Sequence, residues 1–484
     1  MSSKTKIILI CIIVAATALR LLTILKYGAF IWDEIFSFTY SQKTWLESIK
    51  IWLWETNPPL HMAILKIWFY IFPTNEFFTR LPSLIFGVLS VCAVYKTTLK
   101  IFNNNRLAVI SATVLAFSPY HIFMSATGRG YSLLILLDIL SVYFFYQIFF
   151  ENKSDKKSIF FLGLINLLLM FTHLTSVIII VGQLIVLAVQ KSNFKFWFKI
   201  NAIPLLCFGV WSAFSLPLKI NFDLFGSGWY FWLKTNLIDI INSLQPLLLG
   251  PHYKISGCLI SAIFILTSGI IIYRQIHYKN TDTKFIILLT ASITPIIAAG
   301  MLGLWNIKFF IIVLPWFAII IAYLINKLIK NNLLATGIII LLVLPGWTYL
   351  YKLLPLNDWR IINNYLAENY QPAKKQVFIY NLFIDKLLIE RYYQSPIPTL
   401  PYFTGTDWAA DIVSKNYLRY IHPQDEINQW LNNQQLENFD EIFLEEEKCG
   451  IDLSTILPGR GWKLKKIIDA HQLDRKKLYH YVRH

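Results

Sequence analysis

The sequence predicts an all-α polytopic membrane domain of about eleven transmembrane helices, followed by a C-terminal soluble α/β domain. Its composition, a series of long apolar runs and a change in charge near residue 351 support this fold class. The chain of 484 residues is 56% hydrophobic and only 15% charged, with a mean hydropathy of +0.52. Because soluble globular domains carry about 25% charged residues, this composition indicates a membrane protein.

The apolar runs are long enough to cross the ~30 Å hydrocarbon core of a bilayer. The first run follows the short basic segment "MSSKTK" and no small-residue cleavage site follows it, so we interpret it as a retained signal anchor rather than a cleaved signal peptide. The predicted spans are residues 7–26, 83–101, 107–124, 131–150, 158–172, 174–190, 196–216, 255–274, 285–304, 308–327 and 332–351.

Charge is distributed unevenly along the chain. Residues 352–484 hold 17 of the 44 basic and 17 of the 28 acidic side chains, so the remaining 27 basic and 11 acidic residues account for the whole net charge of +16. Every second short loop of the membrane part is rich in Lys or Arg, which predicts that these loops and the N-terminus are cytoplasmic. Membrane topology explains this charge, so we expect no nucleic-acid partner.

One apolar segment tests this topology, because residues 158–190 are long for one span and short for two. Both flanks are basic, which predicts a helical hairpin with Thr172 and His173 at its outer turn. Short helices are tolerated at membrane depth where they are buried in protein. With this hairpin, the loops at 27–82, 120–130 and 217–254 and the tail from residue 352 lie outside the membrane.

The first external loop, residues 27–82, concentrates acidic residues among aromatic ones. Two amphipathic helices are predicted there, one around Trp45–Leu53 and one after Pro58 and Pro59, and helices of this kind lie in the membrane interface. The loop could serve only as an anchor, but an anchor does not require acids. Its acidic residues are Asp33, Glu34, Glu47, Glu55 and Glu76.

The adjacent Asp33 and Glu34 are the candidate catalytic pair. A carboxylate beside apolar groups at the membrane surface can act as a general base for a hydroxyl or amine nucleophile. An ionisable residue at membrane depth is by default a functional candidate. From the residues alone, a catalytic role of Asp33 and a helix-capping role both remain open. The pair could also hold a divalent cation, although no certain cofactor follows from the sequence.

Several segments of this chain resemble a known family in order and spacing. "IWDEIFSFTYSQ", "ETNPPLHMAILKIWFYIF" and "EFFTRLPSLIFGVLS" resemble the first external loop of bacterial lipid-dependent glycosyltransferases, namely glycosyltransferase family 39 and the aminoarabinose-transferase-like group, which have the GT-C fold. The later segments "SPYHIFMSATGRGYSLLILL", "MFTHLTS", "NIKFFIIVLPWFAIIIA" and "NDWRIINNYLAEN" are similar to further motifs of the family. The resemblance covers residues 1–370.

The chain departs from the family pattern at three places. Ala126-Thr127-Gly128-Arg129 stands where the family often has Gln-Glu-Ala-Arg, which leaves donor-sugar contacts of that segment open. His61 replaces a usual Tyr. Lys308 replaces a usual Arg, which keeps the positive charge but loses the planar guanidinium fork.

The resemblance implies an inverting glycosyltransferase that moves a sugar from a polyprenyl-phosphate carrier to an acceptor at the outer face of the membrane. Asp33 is then the general base, with Glu34 beside it. The acceptor is a glycan, a lipid or a protein, and membrane lipid is a further partner. Arg80 and Lys308 could instead only snorkel to the interface, and His173 could be structural. The implied substrate-binding residues are Glu55, His61, Arg80, Arg129, Tyr131, His173 and Lys308.

The expected domains are a GT-C transmembrane catalytic domain, residues 1–351, and an extracytoplasmic α/β domain, residues 352–484, without a second active-site motif. The expected location is the cytoplasmic (inner) membrane of a bacterium. Alternatives are a transporter or flippase for a lipid-linked glycan, or a non-catalytic relative of the family. We find no repeat between the two halves of the sequence, and a long acid-bearing loop is not typical of transporters.

Overall fold

The computed structural model describes residues 3–55, 57–151, 153–221, 283–302, 307–355, 359–380, 383–401, 431–434, 436–446, 453–469 and 477–483. These residues form two compact units. The described residues of the first unit fall within 3–25, 44–218 and 283–352, and those of the second fall within 26–43, 219–221 and 353–483.

Helices make up the first unit and flank a sheet in the second. In chain order the described α-helices are α1 (Ser3–Lys26), α2 (Trp32–Gln42), α3 (Trp45–Trp54), α4 (Leu60–Trp68), α5 (Glu76–Phe102), α6 (Asn105–Phe117), α7 (Pro119–Ser125), α8 (Tyr131–Phe149), α9 (Lys156–Met170), α10 (Ser176–Val189), α11 (Phe194–Asn221), α12 (Thr283–Leu302), α13 (Leu314–Leu328), α14 (Asn332–Leu353), α15 (Trp359–Glu368), α16 (Phe383–Tyr392) and α17 (Leu453–Ile456). A 3₁₀-helix, Ile307–Val313, precedes α13.

The described residues confirm part of the prediction of about eleven membrane-spanning helices. Within the described residues, six helices are long and apolar enough to cross a membrane, or seven if the bent pair α6–α7 forms one span. The predicted span 255–274 lies outside the described residues, and helices occur at each of the other predicted positions. Some are too short: α9 and α10 have only 15 and 14 residues.

The prediction of a break near His173 is confirmed, because α9 ends at Met170 and α10 begins at Ser176. A buried polar network supports these short helices. Asn166 of α9 donates to the Oδ1 of Asn201 at 2.7 Å, and Trp197 donates its indole N–H to the Oε1 of Gln183 at 2.8 Å. The Ser141 hydroxyl of α8 donates to Asn166 Oδ1 at 2.6 Å. The network satisfies polar groups inside an apolar core, as burial requires.

Helix starts in the first unit follow local capping chemistry. Asn75 accepts the Phe78 amide at 3.0 Å and opens α5, and Asn104 accepts the Leu107 amide at 2.9 Å and opens α6. Asp155 accepts the Ser158 amide at 3.0 Å at the start of α9. Each side-chain oxygen satisfies an amide that has no partner within its helix.

The second unit contains a five-stranded mixed sheet in the order β2-β1-β3-β5-β4. β1 is parallel to β2 and β3, whereas β5 is antiparallel to β3 and β4. The α/β prediction for the tail is therefore correct. Strands spaced by helices in the sequence also predict a sheet that leans towards parallel pairing, and this sheet is not mainly parallel. Only residues 470–476 separate β4 from β5, too few for a parallel crossover. The strands are β1 (Gln376–Tyr380), β2 (Thr399–Pro401), β3 (Glu441–Glu446), β4 (Trp462–Asp469) and β5 (Lys477–Arg483).

Helix α2 belongs to this second unit, although it comes from the first external loop of the sequence. It packs against α16, and the Phe30 amide before α2 donates to the Tyr392 hydroxyl at 3.0 Å. The Phe30 and Phe38 rings lie 4.8 Å apart, and the Arg391 guanidinium lies 4.6 Å from the Phe38 ring centroid. The helix that carries the candidate catalytic pair is thus held by C-terminal residues.

Candidate active site

Asp33 and Glu34 occupy the first turn of α2, where carboxylates interact favourably with the helix dipole. Their environments differ. Glu34 is fully buried, and its Oε2 accepts the Ile31 amide at 3.1 Å, which satisfies a donor at the helix start. Asp33 is half-buried, and its main-chain carbonyl accepts the Ser37 hydroxyl at 3.2 Å. The sequence left a capping role open for Asp33, and a capping bond at this helix start is made by Glu34.

Arg129 lies in the first unit, on the short turn between α7 and α8. It is only 9% exposed. Its amide donates to the Thr127 carbonyl at 2.7 Å, and its own carbonyl accepts the Ser83 hydroxyl of α5 at 2.9 Å. One guanidinium nitrogen, Nη2, lies 3.8 Å from Glu55 Oε1 at the end of α3. A buried cation is thus held by its backbone and paired with a carboxylate at long range.

His61, the second residue of α4, packs directly against Gly130. A Cβ atom at Gly130 would lie 3.1 Å from the His61 Cβ and 3.6 Å from Thr172 Cγ2. The start of α4 is fixed because the Leu60 amide donates to the Phe171 carbonyl at 2.9 Å. A side chain at Gly130 would therefore push α4 away from the turn that carries Arg129 by a few tenths of an ångström.

The His61 imidazole is neutral. Its burial, and secondarily the charge of Arg129, lower its pKa from 6.5 to about 3. Its Nε2 is buried and has no hydrogen-bond partner among the residues that the structure describes. His61 can therefore act as a neutral polar group, but its pKa does not suit proton transfer near neutral pH.

Tyr131, next to Gly130 in the chain, packs near His173. Their ring centroids lie 6.1 Å apart, and both residues are buried. The Thr175 amide donates to His173 Nδ1 at 3.2 Å, and the Thr175 hydroxyl lies 2.9 Å from the same nitrogen. Because Nδ1 accepts, the neutral ring carries its proton on Nε2.

Five of the seven predicted substrate-binding residues therefore share one region of the first unit. We call this region the Arg129 cluster, and its members are Glu55, His61, Arg129, Tyr131 and His173 around Gly130.

The other two predicted substrate-binding residues are Arg80, whose side chain the structure describes, and Lys308, whose side chain it does not. Arg80 is 1% exposed, so it does not snorkel to a membrane surface, and it lies one turn before Ser83 on α5. Lys308 has its backbone in the 3₁₀-helix Ile307–Val313, and its side chain lies outside the described residues.

Ser83 and Gly130 are site residues that sequence reasoning did not single out. Ser83 holds the Arg129 carbonyl and its own carbonyl accepts the Ser132 hydroxyl at 2.8 Å. Both residues lie inside motifs that were recognised, "RLPS" and "GRGY". A serine or glycine there carries no chemical signal of its own, because the contact that matters is made to another helix.

A metal site does not emerge from the part of the chain that the structure describes. Within it, no group of three or more His, Cys, Asp or Glu side chains is placed to hold a metal ion.

Comparison with known sequences places part of the chain in a family. Residues 56–217 match the family model described as dolichyl-phosphate-mannose-protein mannosyltransferase. Over 92 residues the chain is 36% identical to the dolichyl-phosphooligosaccharide-protein glycotransferase 1 of Archaeoglobus fulgidus. That match spans 18% of this chain and only 16% of the length of that relative.

Comparison with solved structures identifies the fold. ArnT from Cupriavidus metallidurans in the apo state matches with a TM-score of 0.60 and 12% identity, over 99% of this chain and 98% of that chain. ArnT bound to undecaprenyl phosphate matches with a TM-score of 0.54 and 11% identity, over 97% of each chain. The oligosaccharyltransferase AglB of A. fulgidus, in complex with an inhibitory peptide and a dolichol-phosphate, matches with a TM-score of 0.51 and 13% identity, over 92% of this chain and 69% of that chain.

These matches agree with the helical, multi-pass membrane architecture of the first unit. Residues 56–217 are therefore similar to this mannosyltransferase family, and the chain has an ArnT-like fold.

Proposed function

We propose that this chain moves a sugar from a polyprenyl-phosphate carrier to an acceptor at the outer face of a bacterial cytoplasmic membrane, with inversion at the anomeric carbon. The observation that carries the proposal is the Arg129 cluster. A buried arginine, two neutral imidazoles and a tyrosine converge on one glycine within a fold of the ArnT type.

The charge of this region suits a lipid phosphate. Arg129 and Arg80 bring two positive charges, since Arg80 lies one turn from the serine that bonds the Arg129 carbonyl. Glu55 brings one negative charge, and His61 is neutral. The net charge of about +1 matches the single negative charge of a sugar phosphodiester, and arginine is well suited to bidentate phosphate binding.

The chemistry that we assign is a single displacement with Asp33 as general base. The Asp33 carboxylate takes a proton from the acceptor hydroxyl or amine, and the freed electron pair forms a bond to the anomeric carbon. The bond from that carbon to the phosphate oxygen breaks, and the polyprenyl phosphate leaves with both electrons. Cations that stabilise this phosphate make its protonation unnecessary. Because the acceptor attacks once, from the side opposite the phosphate, the configuration at the anomeric carbon is inverted.

We assign supporting roles to the remaining predicted residues. Arg80, Arg129 and Lys308 are proposed to bind the phosphate, whereas Tyr131, His61 and His173 are proposed to contact the donor head group. Glu34 is proposed to support Asp33 by fixing the start of α2, as its bond to the Ile31 amide suggests.

The donor class rests on the ligands named for the structural matches. ArnT was solved with undecaprenyl phosphate, and the archaeal AglB with a dolichol-phosphate and an inhibitory peptide. A polyprenyl phosphate is therefore proposed as the carrier. A glycan, a lipid and a protein remain the acceptor classes.

We further propose a catalytic membrane domain, residues 1–351, with its N-terminus in the cytoplasm, and an extracytoplasmic domain, residues 352–484. The described first unit supplies the membrane helices, and the described tail supplies the mixed sheet. Helix α2 is included in the catalytic assignment although it packs with the tail.

The direct test is a comparison of lipids from cells with and without the gene. Loss of the transferase should cause one polyprenyl-phosphate sugar to accumulate, because its consumption stops. An unchanged pool of such lipids would contradict the proposal. A second measurement excludes a flippase: the purified protein, given the accumulated lipid and a membrane extract as acceptor, should release free polyprenyl phosphate, which a transporter does not produce.

A further inference from the structure

Arg20 is a charged residue placed in the middle of the apolar helix α1, and it is fully buried in the protein. Its Nη1 donates to the Ala16 carbonyl at 2.8 Å and to the Ala116 carbonyl at 3.1 Å. Its Nη2 lies 2.6 Å from Nδ1 of His121. Ionisable residues inside membrane spans are costly and are associated with function, so this arginine requires an explanation.

The Ala116 carbonyl lies at a break in a helix. α6 ends at Phe117, and α7 departs from it at an angle of 61°. Such a break leaves carbonyls without their intrahelical donors, and at membrane depth water does not replace them. Arg20 donates to Ala116, and the Trp347 indole donates to the Phe117 carbonyl at 3.0 Å. The two side chains therefore cap the end of α6.

Arg20 also holds the helix that follows the break. Because arginine has no acceptor, His121 Nδ1 accepts the bond and the ring proton lies on Nε2. The Ser125 hydroxyl donates to the His121 carbonyl at 2.6 Å. A Cβ atom at Gly87 would come within 2.1 Å of Ser125 Oγ, so α7 lies directly on α5.

A continuous series of bonds connects α7 to Arg129. The Thr127 hydroxyl donates to the Phe123 carbonyl at 2.9 Å, and the Arg129 amide donates to the Thr127 carbonyl at 2.7 Å. Ser83 of α5 then fixes the Arg129 carbonyl at 2.9 Å. The position of α7 therefore determines where the turn carrying Arg129 begins.

We propose that Arg20 is a positioning residue for Arg129 and thereby sets the affinity of the enzyme for the phosphate of its lipid donor. This inference rests on the proposed function. Arg20 binds one acceptor on its own helix and one on each of α6 and α7, an arrangement that requires the planar fork of arginine and that lysine with its single nitrogen does not reproduce.

The test uses the full-length protein in lipid nanodiscs, with undecaprenyl phosphate as the probe. Its dissociation constant and the thermal midpoint of the protein are measured for wild type, Arg20→Gln and Asn166→Leu. The Asn166 variant is a matched control, since it also breaks a buried polar network but one that joins α8 to α11.

We expect Arg20→Gln to weaken binding about tenfold or more, equivalent to about 1.4 kcal/mol. The Asn166 variant should bind within about twofold of wild type at a similarly lowered midpoint.

The outcomes separate the inference from the proposed function. In one outcome, wild type binds the probe and Arg129→Gln does not. If Arg20→Gln then binds as tightly as Asn166→Leu, Arg20 has only a structural role and the inference is overturned. If wild type prefers undecaprenyl phosphate no more than phosphatidic acid in the same nanodiscs, the proposed function fails and the inference with it.

A second variant is used if Arg20→Gln does not yield folded protein. His121→Leu keeps the Arg20 cation but removes its hydrogen-bond acceptor on α7. A rise of about tenfold in the dissociation constant supports the inference, and an unchanged value overturns it.

Discussion

Two buried groups of ionisable residues, one in each unit, differ in how their hydrogen bonds are satisfied. In the second unit, Glu441 is 2% exposed and accepts from Lys374 Nζ at 2.7 Å and from Gln376 Nε2 at 2.6 Å. His480 Nε2 lies 3.4 Å from the same carboxylate, and its Nδ1 lies 2.8 Å from the Tyr365 hydroxyl. We call this group the Glu441 network.

The Arg129 cluster is arranged differently. Its carboxylate and guanidinium lie 3.8 Å apart. Within the described residues, a buried histidine Nε2 without a hydrogen bond occurs in both groups, at His61 and at His480. Burial of charge alone therefore does not mark an active site. The difference between the two groups lies in the carboxylate: Glu441 accepts two short bonds from Lys374 and Gln376, whereas Glu55 and Arg129 form a long ion pair.

The comparison predicts that removing a cation has different consequences in the two groups. Arg129→Gln should lower sugar transfer by about 10²–10³-fold, the typical loss when one preorganised donor to a developing oxyanion is removed, with little change in stability. Lys374→Gln removes a partner of Glu441 and should lower the melting temperature while transfer per folded molecule stays near wild type. Transfer rates and melting curves of both purified variants check this.

Equal losses of transfer in the two variants would break the distinction. A normal transfer rate in Arg129→Gln would contradict the assignment of that side chain to the phosphate.

Acid should weaken the Glu441 network. Burial, and then the charge of Lys465, lower the pKa of His480 from 6.5 to about 4. The unfolded chain therefore binds more protons than the folded chain between these values, so stability falls as pH falls from about 6.5 to 4. Burial alone would raise the pKa of Glu441, but its bonds from Lys374 and Gln376 hold the pKa below its usual value, which acts in the same direction.

The measurement is amide hydrogen exchange in β3 and β5 of the full chain at pH 7 and pH 5, corrected for the intrinsic pH dependence of exchange. We expect an opening free energy lower by about 1–3 kcal/mol at pH 5. His480→Gln should remove most of this dependence. A wild-type opening free energy that is the same at both pH values would contradict the account.

A methyl group at Gly130 should disturb the Arg129 cluster. The Cβ atom of Gly130→Ala would lie 3.1 Å from the His61 Cβ, so α4 or the turn must move by a few tenths of an ångström. We expect about a tenfold loss of transfer, since small displacements of positioning groups are costly in catalysis. Gly337→Ala is the control, because nothing lies within 4 Å of its added Cβ. A rate equal to that control would show that the contact is unimportant.

The smallest expected effect concerns Glu34. Glu34→Ala removes the acceptor of the Ile31 amide and should cost about 1 kcal/mol of stability, as the loss of a helix cap does. Thermal unfolding of the full chain provides the measurement. A gain in stability would indicate that burial of the carboxylate costs more than the cap contributes.

Much of the fold was predictable because its signals are local. Long apolar runs predict the helices, and basic flanks on both sides of residues 158–190 predict the break that lies between Met170 and Ser176. Among the described helices, hydropathy alone does not distinguish a full span from a short helix supported by buried partners such as Asn166 and Gln183.

Long-range contacts were not predictable. Phe30 and Tyr392 are 362 positions apart, and nothing near Asp33 in the sequence indicates that α2 packs with the tail. The mixed order of the sheet likewise depends on the pairing of β3 with β5. Most of the candidate site was recognised because its residues lie in motifs at helix starts and turns. The close packing of Gly130 against His61 could be identified only from the structure.

The most direct test of the account measures sugar transfer and undecaprenyl phosphate binding together for Asp33→Asn, with the exposed Glu368→Gln as control. A general base is needed for the chemical step but not for binding the carrier. We predict that Asp33→Asn loses transfer while it binds undecaprenyl phosphate as wild type does. Transfer at the rate of the control variant would contradict the assignment of Asp33 as the base.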